Sequence, residues 1–177
     1  MAPPQGYGIK DFYQTAVTRS FARTNTFRIK NITGVFNENN SDLLIYAQGG
    51  TIPSRNISYS SVSFKAFDFN VPMTSSYPES TSWSVTFYCD SQFVLRDILE
   101  SWSRQTFDEH KHINTTSLSD IEFVLLDSYL KEIRNYKLVG CYPVGIGSMG
   151  FSVGNGGELA TCSVNLAFQY VISDNTI

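Results

Sequence analysis

At 177 residues and a net charge of −3, the chain has the length of one ordinary domain and lacks the basic excess of a protein that grips nucleic acid. Charged residues make up only 16%, against roughly 25% in a typical soluble domain; the 42% hydrophobic and 14% aromatic content excludes general disorder. Ser, Thr, Asn and Gln replace the missing charge, and such a surface is desolvated at lower cost in a protein–protein interface.

In chain order, residues 1–8 hold two prolines and two glycines and read as a loose or docking arm. Phe12, Tyr13, Ala16, Val17 and Phe21 space out a short helix within residues 10–23. The arm is taken as residues 1–20, and residues 21–177 as one domain. A first strand over 26–33 sets Phe27, Ile29 and Asn31 against Arg28, Lys30 and Ile32. Residues 37–42 form a polar turn, 43–48 a second strand, and Gly49-Gly50 a break before the extended Ile52-Pro53. Val62 and Phe64 share one phase while Phe67, Phe69 and Val71 have the other, so a turn or bulge near Lys65-Ala66 must intervene to keep both sets pointing inward. Pro72 ends that run, and residues 73–81 read as a loop.

Residues 82–104 organise the chain. Trp83, Val85, Phe87 and Cys89 alternate with Ser82, Ser84, Thr86 and Tyr88, the period of a half-buried strand. Asp90 and Ser91 can then cap a helix whose packing anchors, Leu95, Ile98, Leu99 and Trp102, recur at helical spacing. Residues 105–119 read as an exposed polar segment. Strands follow over 121–126 and 132–141, joined by a turn at 127–131, and a glycine-rich irregular stretch occupies 143–157. The last strand puts Cys162, Val164, Leu166, Phe168 and Tyr170 on one face and Thr161, Ser163, Asn165, Ala167 and Gln169 on the other, which carries no charge. Roughly eight strands and one main helix predict a mainly antiparallel β-sandwich or barrel flanked by an α-helix.

Chemical motifs are sparse. Gly145-Ile-Gly147-Ser-Met-Gly150 matches the dinucleotide-binding pattern but lacks a following helix signal, so it reads as a loop. His110 and His112 are the only histidines and alternate in a polar segment, where Asp108 or Glu109 would have to complete a metal site; solvated side chains explain them better. The three cysteines are far apart and read as small buried hydrophobes. No catalytic residue, metal site or cofactor is assigned. No apolar leader core and no membrane-length apolar run is present, so synthesis in a cytoplasm is expected.

Four ordered segments resemble the tail tube proteins of contractile-tailed bacteriophages. They are Phe21-Ala-Arg23-Thr-Asn25-Thr-Phe27-Arg-Ile29; residues 47–55; Phe69-Asn-Val-Pro72 through Tyr77-Pro78 and Trp83-Ser-Val-Thr-Phe87 into the helix ending Leu99-Glu-Ser-Trp102; and Leu138-Val-Gly140-Cys-Tyr-Pro143-Val-Gly-Ile146 leading to Phe168-Gln-Tyr170. The tubes of type VI secretion and extracellular contractile injection systems are similar in fold. The resemblance implies a non-enzymatic virion protein, assembled in the host cytoplasm, whose subunits form stacked homo-hexameric rings. The lumen would hold the tape-measure protein and pass DNA transiently, and the partners would be sheath, baseplate and tail-terminator proteins, with no membrane insertion. Thr161, Ser163, Asn165 and Gln169 become the candidate lumen face. Alternatives are a tube-initiator, tail-terminator or baseplate protein of the same fold, or a β-sandwich module binding glycan or a host surface through Tyr59, Tyr77 and Trp83.

Overall fold

The computed structural model describes residues 8–37, 39–107, 118–154 and 157–175. Its elements are α1 (Ile9–Arg19), β1 (Phe27–Ile32), a 3-10 helix (Ser41–Tyr46), β2 (Ala47–Gly49), β3 (Asn56–Phe64), β4 (Phe67–Ser76), a second 3-10 helix (Pro78–Thr81), β5 (Trp83–Tyr88), α2 (Val94–Thr106), β6 (Ser119–Leu126), β7 (Glu132–Ile146), β8 (Thr161–Ala167) and β9 (Tyr170–Asn175). Every strand pairing is antiparallel. One sheet runs β1-β6-β7-β8-β5-β2 with β9 also on β7, and β3-β4 form a separate two-stranded sheet. This is the mainly β fold with one main packed helix that the periodicities predict.

β7 unites the two halves of the large sheet. Its first part pairs with β6 and β9, and its second with β8. The change of partner occurs around Gly140, whose φ is +68°. A Cβ there would also lie 2.8 Å from the Gln169 side chain, so both conformation and space demand glycine. The Gly140 amide donates to Asp120 Oδ1 at 3.1 Å. Lys137 Nζ reaches the other Asp120 oxygen at 2.9 Å. Burial opposes ionisation of Asp120, but these two partners outweigh it and hold its carboxyl below the ordinary value.

The core lies between the two halves. Trp83 of β5 stacks on Phe123 of β6 at 5.9 Å, and Phe123 stacks on Tyr136 of β7 at 5.1 Å. Val85, Phe87, Cys162, Val164 and Leu166 complete the β5–β8 contribution. The alternation of β5 is therefore realised as read, with Trp83 2% exposed. α2 packs on β7 and places Leu95, Leu99 and Trp102 in the same cluster, with Ile98 partly buried against it.

Asp90 starts this helix, as its position predicts. Its carboxylate accepts the amides of Gln92, Val94 and Leu95 at 3.1–3.2 Å. Burial pushes its pKa up, but the amide bonds prevail and leave it below the ordinary 3.8. A depressed carboxyl contributes stability above its unfolded pKa and loses it as pH falls through the folded value. Asp90→Ala is expected to cost about 0.5–2 kcal/mol near neutral pH. The deficit against wild type shrinks on acidification below pH 4, which thermal unfolding at pH 7 and pH 3 would register.

Several boundaries differ from the sequence reading. Residues 43–46 are helical rather than extended, because the polar cluster before them already bonds at i+3: Asn40 N–H to Asn37 O, then Leu43 N–H to Asn40 O. Within β1, a bulge between Ile29 and Asn31 reverses the phase and buries Ile32 with Ile29. β4 passes through Pro72 to Ser76, since a register shift between Ile57 and Tyr59 relieves the need for the missing N–H. The second half of β7, Pro143 to Ile146, is strand rather than irregular chain. The final strand is two: β8 stops at Ala167 and β9 begins at Tyr170, which is exposed and not in the core. Of the polar segment 105–119, Gln105 and Thr106 still belong to α2 and Ser119 is buried in β6; residues 108–117 lie outside the described residues.

Candidate functional site

No pocket among those described presents the constellation of an active site. An apolar groove of about 350 Å³ opens beside Trp83, lined by Phe27, Ile29, Val85, Phe123 and Leu125, with Arg23 the one ionisable residue among the described residues that line it. All three thiols are pushed above the ordinary 9.0 by burial, Cys141 to about 12, so none is held as a thiolate. Among the described residues no group of three His, Cys, Asp or Glu side chains could hold a metal. His110, His112, Asp108 and Glu109 lie outside the described residues. Gly145 and Ile146 of the glycine motif are in β7, and among the described residues no helix follows Gly150. No helix among the described residues is long and apolar enough to cross a membrane.

Two surfaces stand out instead. The first is the outward face of β5 and β8. Cys162 faces α2, where Arg96 Nη1 lies 3.9 Å from its sulfur, so the alternate residues of β8 point to the opposite side of the sheet. Thr161 and Asn165 are exposed there, with Ser163 half-buried between them. The register sets Tyr88 beside Thr161, Thr86 beside Ser163 and Ser84 beside Asn165. The result is a continuous band of hydroxyl and amide groups without charge. Gln169 falls beyond the end of β8, against Gly140, and is exposed. By contrast, the other half of the sheet carries the ion pairs Arg28–Glu132, Lys30–Glu132 and Lys137–Asp120. Ser84 and Thr86 were identifiable as the polar side of their strand, but only the register joins them to β8.

The second surface is the β3–β4 hairpin. Lys65 and Ala66 have φ of +47° and +66°, the sign that a two-residue hairpin turn matched to strand twist requires. Of the turn or bulge expected here, the structure has the turn, and it brings Val62, Phe64, Phe67, Phe69 and Val71 onto one face. That face does not point inward. Every residue of both strands is exposed, including Phe64 at 62%, Phe67 at 72% and Phe69 at 59%. Aromatic periodicity marks an apolar face without saying what covers it, which is why the sequence reading placed it in the core. α1 is alike in this respect: it buries no residue, and Ile9, Phe12, Tyr13 and Val17 remain exposed.

The aromatic residues of the alternative binding reading do not form one platform. Trp83 is buried and donates its indole N–H to Thr51 O at 2.7 Å, Tyr77 packs edge-on against Phe168, and Tyr59 is exposed on the hairpin.

A family model described as phage tail tube protein matches residues 11–173. No curated protein matches the chain. Among solved structures, it is similar to a chain of the six-fold symmetrised anti-feeding prophage baseplate, with 13% identity and a TM-score of 0.63 over 88% of this chain and 97% of that one. It is also similar to a chain of the tube-terminating cap of the anti-feeding prophage, at 13% identity and a TM-score of 0.60 over 88% and 92%. A chain of the sheath–tube complex of an extracellular contractile injection system matches at 14% identity and a TM-score of 0.51 over 97% and 100%. At these identities the likeness is one of fold.

Proposed function

The chain belongs to the phage tail tube protein family, and from that premise we propose that it is a non-enzymatic subunit of homo-hexameric rings that stack into the tail tube. The observation that carries this reading is the β3–β4 hairpin, whose apolar face and two free strand edges are exposed in the single chain. A lone two-stranded hairpin is marginal in water, and an exposed apolar edge invites aggregation unless another chain covers it. Assembly into closed rings that stack removes both liabilities.

On this reading residues 1–20 are an arm attached to a tail-tube-like domain over 21–177, and α1 within the arm adds a second exposed apolar surface. Thr161, Ser163, Asn165 and Gln169, joined by Ser84 and Thr86, line the lumen. An uncharged wall suits transient passage of DNA, because each Lys or Arg that neutralises a phosphate adds affinity and would retard it. The lumen holds the tape-measure protein before ejection, and the outer surface meets sheath, baseplate and terminator proteins. The protein is then a component of the virion tail, assembled in the host cytoplasm. The same fold would also serve a tube initiator or terminator, and such a protein would form a ring that does not extend.

Light scattering and negative-stain microscopy of the purified full chain over a range of concentrations test this. Hexamers and hollow stacked tubes are expected. A monomer at every concentration contradicts the reading, and rings that never stack favour the initiator or terminator.

A further inference from the structure

The hairpin leaves the body through two legs, each fixed at its base. In the first leg Pro53 is buried and Thr51 O accepts the Trp83 indole. In the second, Ser80 O accepts the Phe168 amide at 2.8 Å, and the Tyr77 ring rests on Phe168. Between these anchors and the first ladder pair, Asn56 with Ser76, Glu79 bridges the legs. Its carboxylate accepts the Ser54 amide at 3.0 Å on one oxygen and the Ser54 hydroxyl at 2.7 and 3.0 Å on the two oxygens. Glu79 stands on the short 3-10 helix Pro78–Thr81, itself tied to the body through Ser80.

Hydrogen bonds to a carboxylate are roughly twice as strong as neutral ones, and two donors from one residue fix direction as well as distance. The Ser54 hydroxyl is the main cause holding the Glu79 carboxyl below the ordinary 4.5, as expected of a donor that favours the ionised form. Arg55 Nε adds one rung above, to Ser75 Oγ at 2.9 Å. A projecting arm has no packing of its own to set its direction, so contacts at its root set it.

We propose that Glu79 is the positioning residue of the hairpin: its grip on Ser54 sets the angle at which the hairpin leaves the body, and so the ease with which it docks on a second copy. The docking half of this inference rests on the tail tube reading, whereas the latch itself does not.

Hydrogen exchange and sedimentation on the full chain separate the two halves. Glu79→Ala is expected to speed amide exchange at residues 54–57 and 74–76 about tenfold or more, the loss of a charge-assisted hydrogen bond, while β5, β6 and β8 keep their protection. Ser54→Ala removes only the hydroxyl donor and gives a smaller change of the same kind, and it serves as the readout should Glu79→Ala fold poorly. The concentration required for sedimenting assemblies rises about tenfold in Glu79→Ala. Unchanged exchange at the hairpin root in both variants overturns the latch. Faster exchange with assembly at the wild-type concentration overturns its role in docking. A wild-type chain that never oligomerises contradicts the tail tube reading and the docking half with it, and the exchange result then decides the latch alone.

Discussion

Trp102→Ala is expected to lower the unfolding free energy by about 3–5 kcal/mol, and Leu99→Ala by about 2–5 kcal/mol. Both side chains sit in the shared core, Leu99 fully buried and Trp102 nearly so. Truncation removes apolar contact and leaves a cavity between α2 and β7 that the rigid sheet closes only in part. A typical domain has a total stability of about 5–15 kcal/mol, so either change takes a large share of it. Denaturant unfolding measures the loss directly. Wild-type midpoints in both variants would mean that α2 does not cover the core.

The hairpin variants are expected to do the reverse. Phe64→Glu with Phe69→Glu changes two largely exposed rings on the apolar face of β3–β4, where their neighbours are residues of the hairpin itself, Phe67 and Lys65 for Phe64 and Val62 for Phe69. Surface changes of this kind move stability by about 0.5 kcal/mol or less, so the unfolding midpoint stays near wild type. Assembly responds strongly, because each Phe that enters an interface contributes about 1.5–3 kcal/mol, and an introduced carboxylate must be desolvated to take its place. Repeated on every subunit, the pair should abolish rings and tubes at concentrations where wild type forms them. Microscopy and sedimentation of the double variant give the answer. Wild-type assembly by this variant would remove the hairpin from the interface.

The two sets of residues differ in how plainly the sequence exposed them. Strict alternation from Trp83 to Phe87 and the helical spacing of Leu95, Leu99 and Trp102 identified strand, helix and buried faces, because each pattern has one period and one covered side. The same logic misplaced Phe64, Phe67 and Phe69. Apolar periodicity reports a face that must be covered, and here nothing among the described residues covers it. A local surprise came from a backbone event with a weak residue signal, the bulge that turns Ile32 inward, whereas the Lys65-Ala66 turn, built without glycine, was legible in the change of phase across it. The joining of Ser84 and Thr86 to Ser163 and Asn165 depended on register between strands some 80 residues apart, which long-range pairing sets and local sequence does not. Ser54 and Glu79 were silent for a related reason: a serine and a glutamate in loops acquire meaning only when the hairpin brings its two legs together.

The surface chemistry follows from the same topology. One half of the large sheet uses Arg28, Lys30, Lys137, Asp120 and Glu132 in exposed ion pairs, and such pairs contribute little each, about 0–1 kcal/mol, but keep that face solvated. The other half presents only hydroxyl, amide and phenol groups along β5 and β8. A chain with 16% charged residues has thus placed its charge unevenly, leaving the face opposite α2 neutral.

Cryo-electron microscopy of the assembled full-length protein tests the central claim most directly. Stacked hexameric rings are predicted, with the β3–β4 hairpin seated on a neighbouring subunit and Thr161, Ser163 and Asn165 facing the central channel. A channel lined instead by α2 or by the ion-paired face, or a particle that remains monomeric, would contradict it.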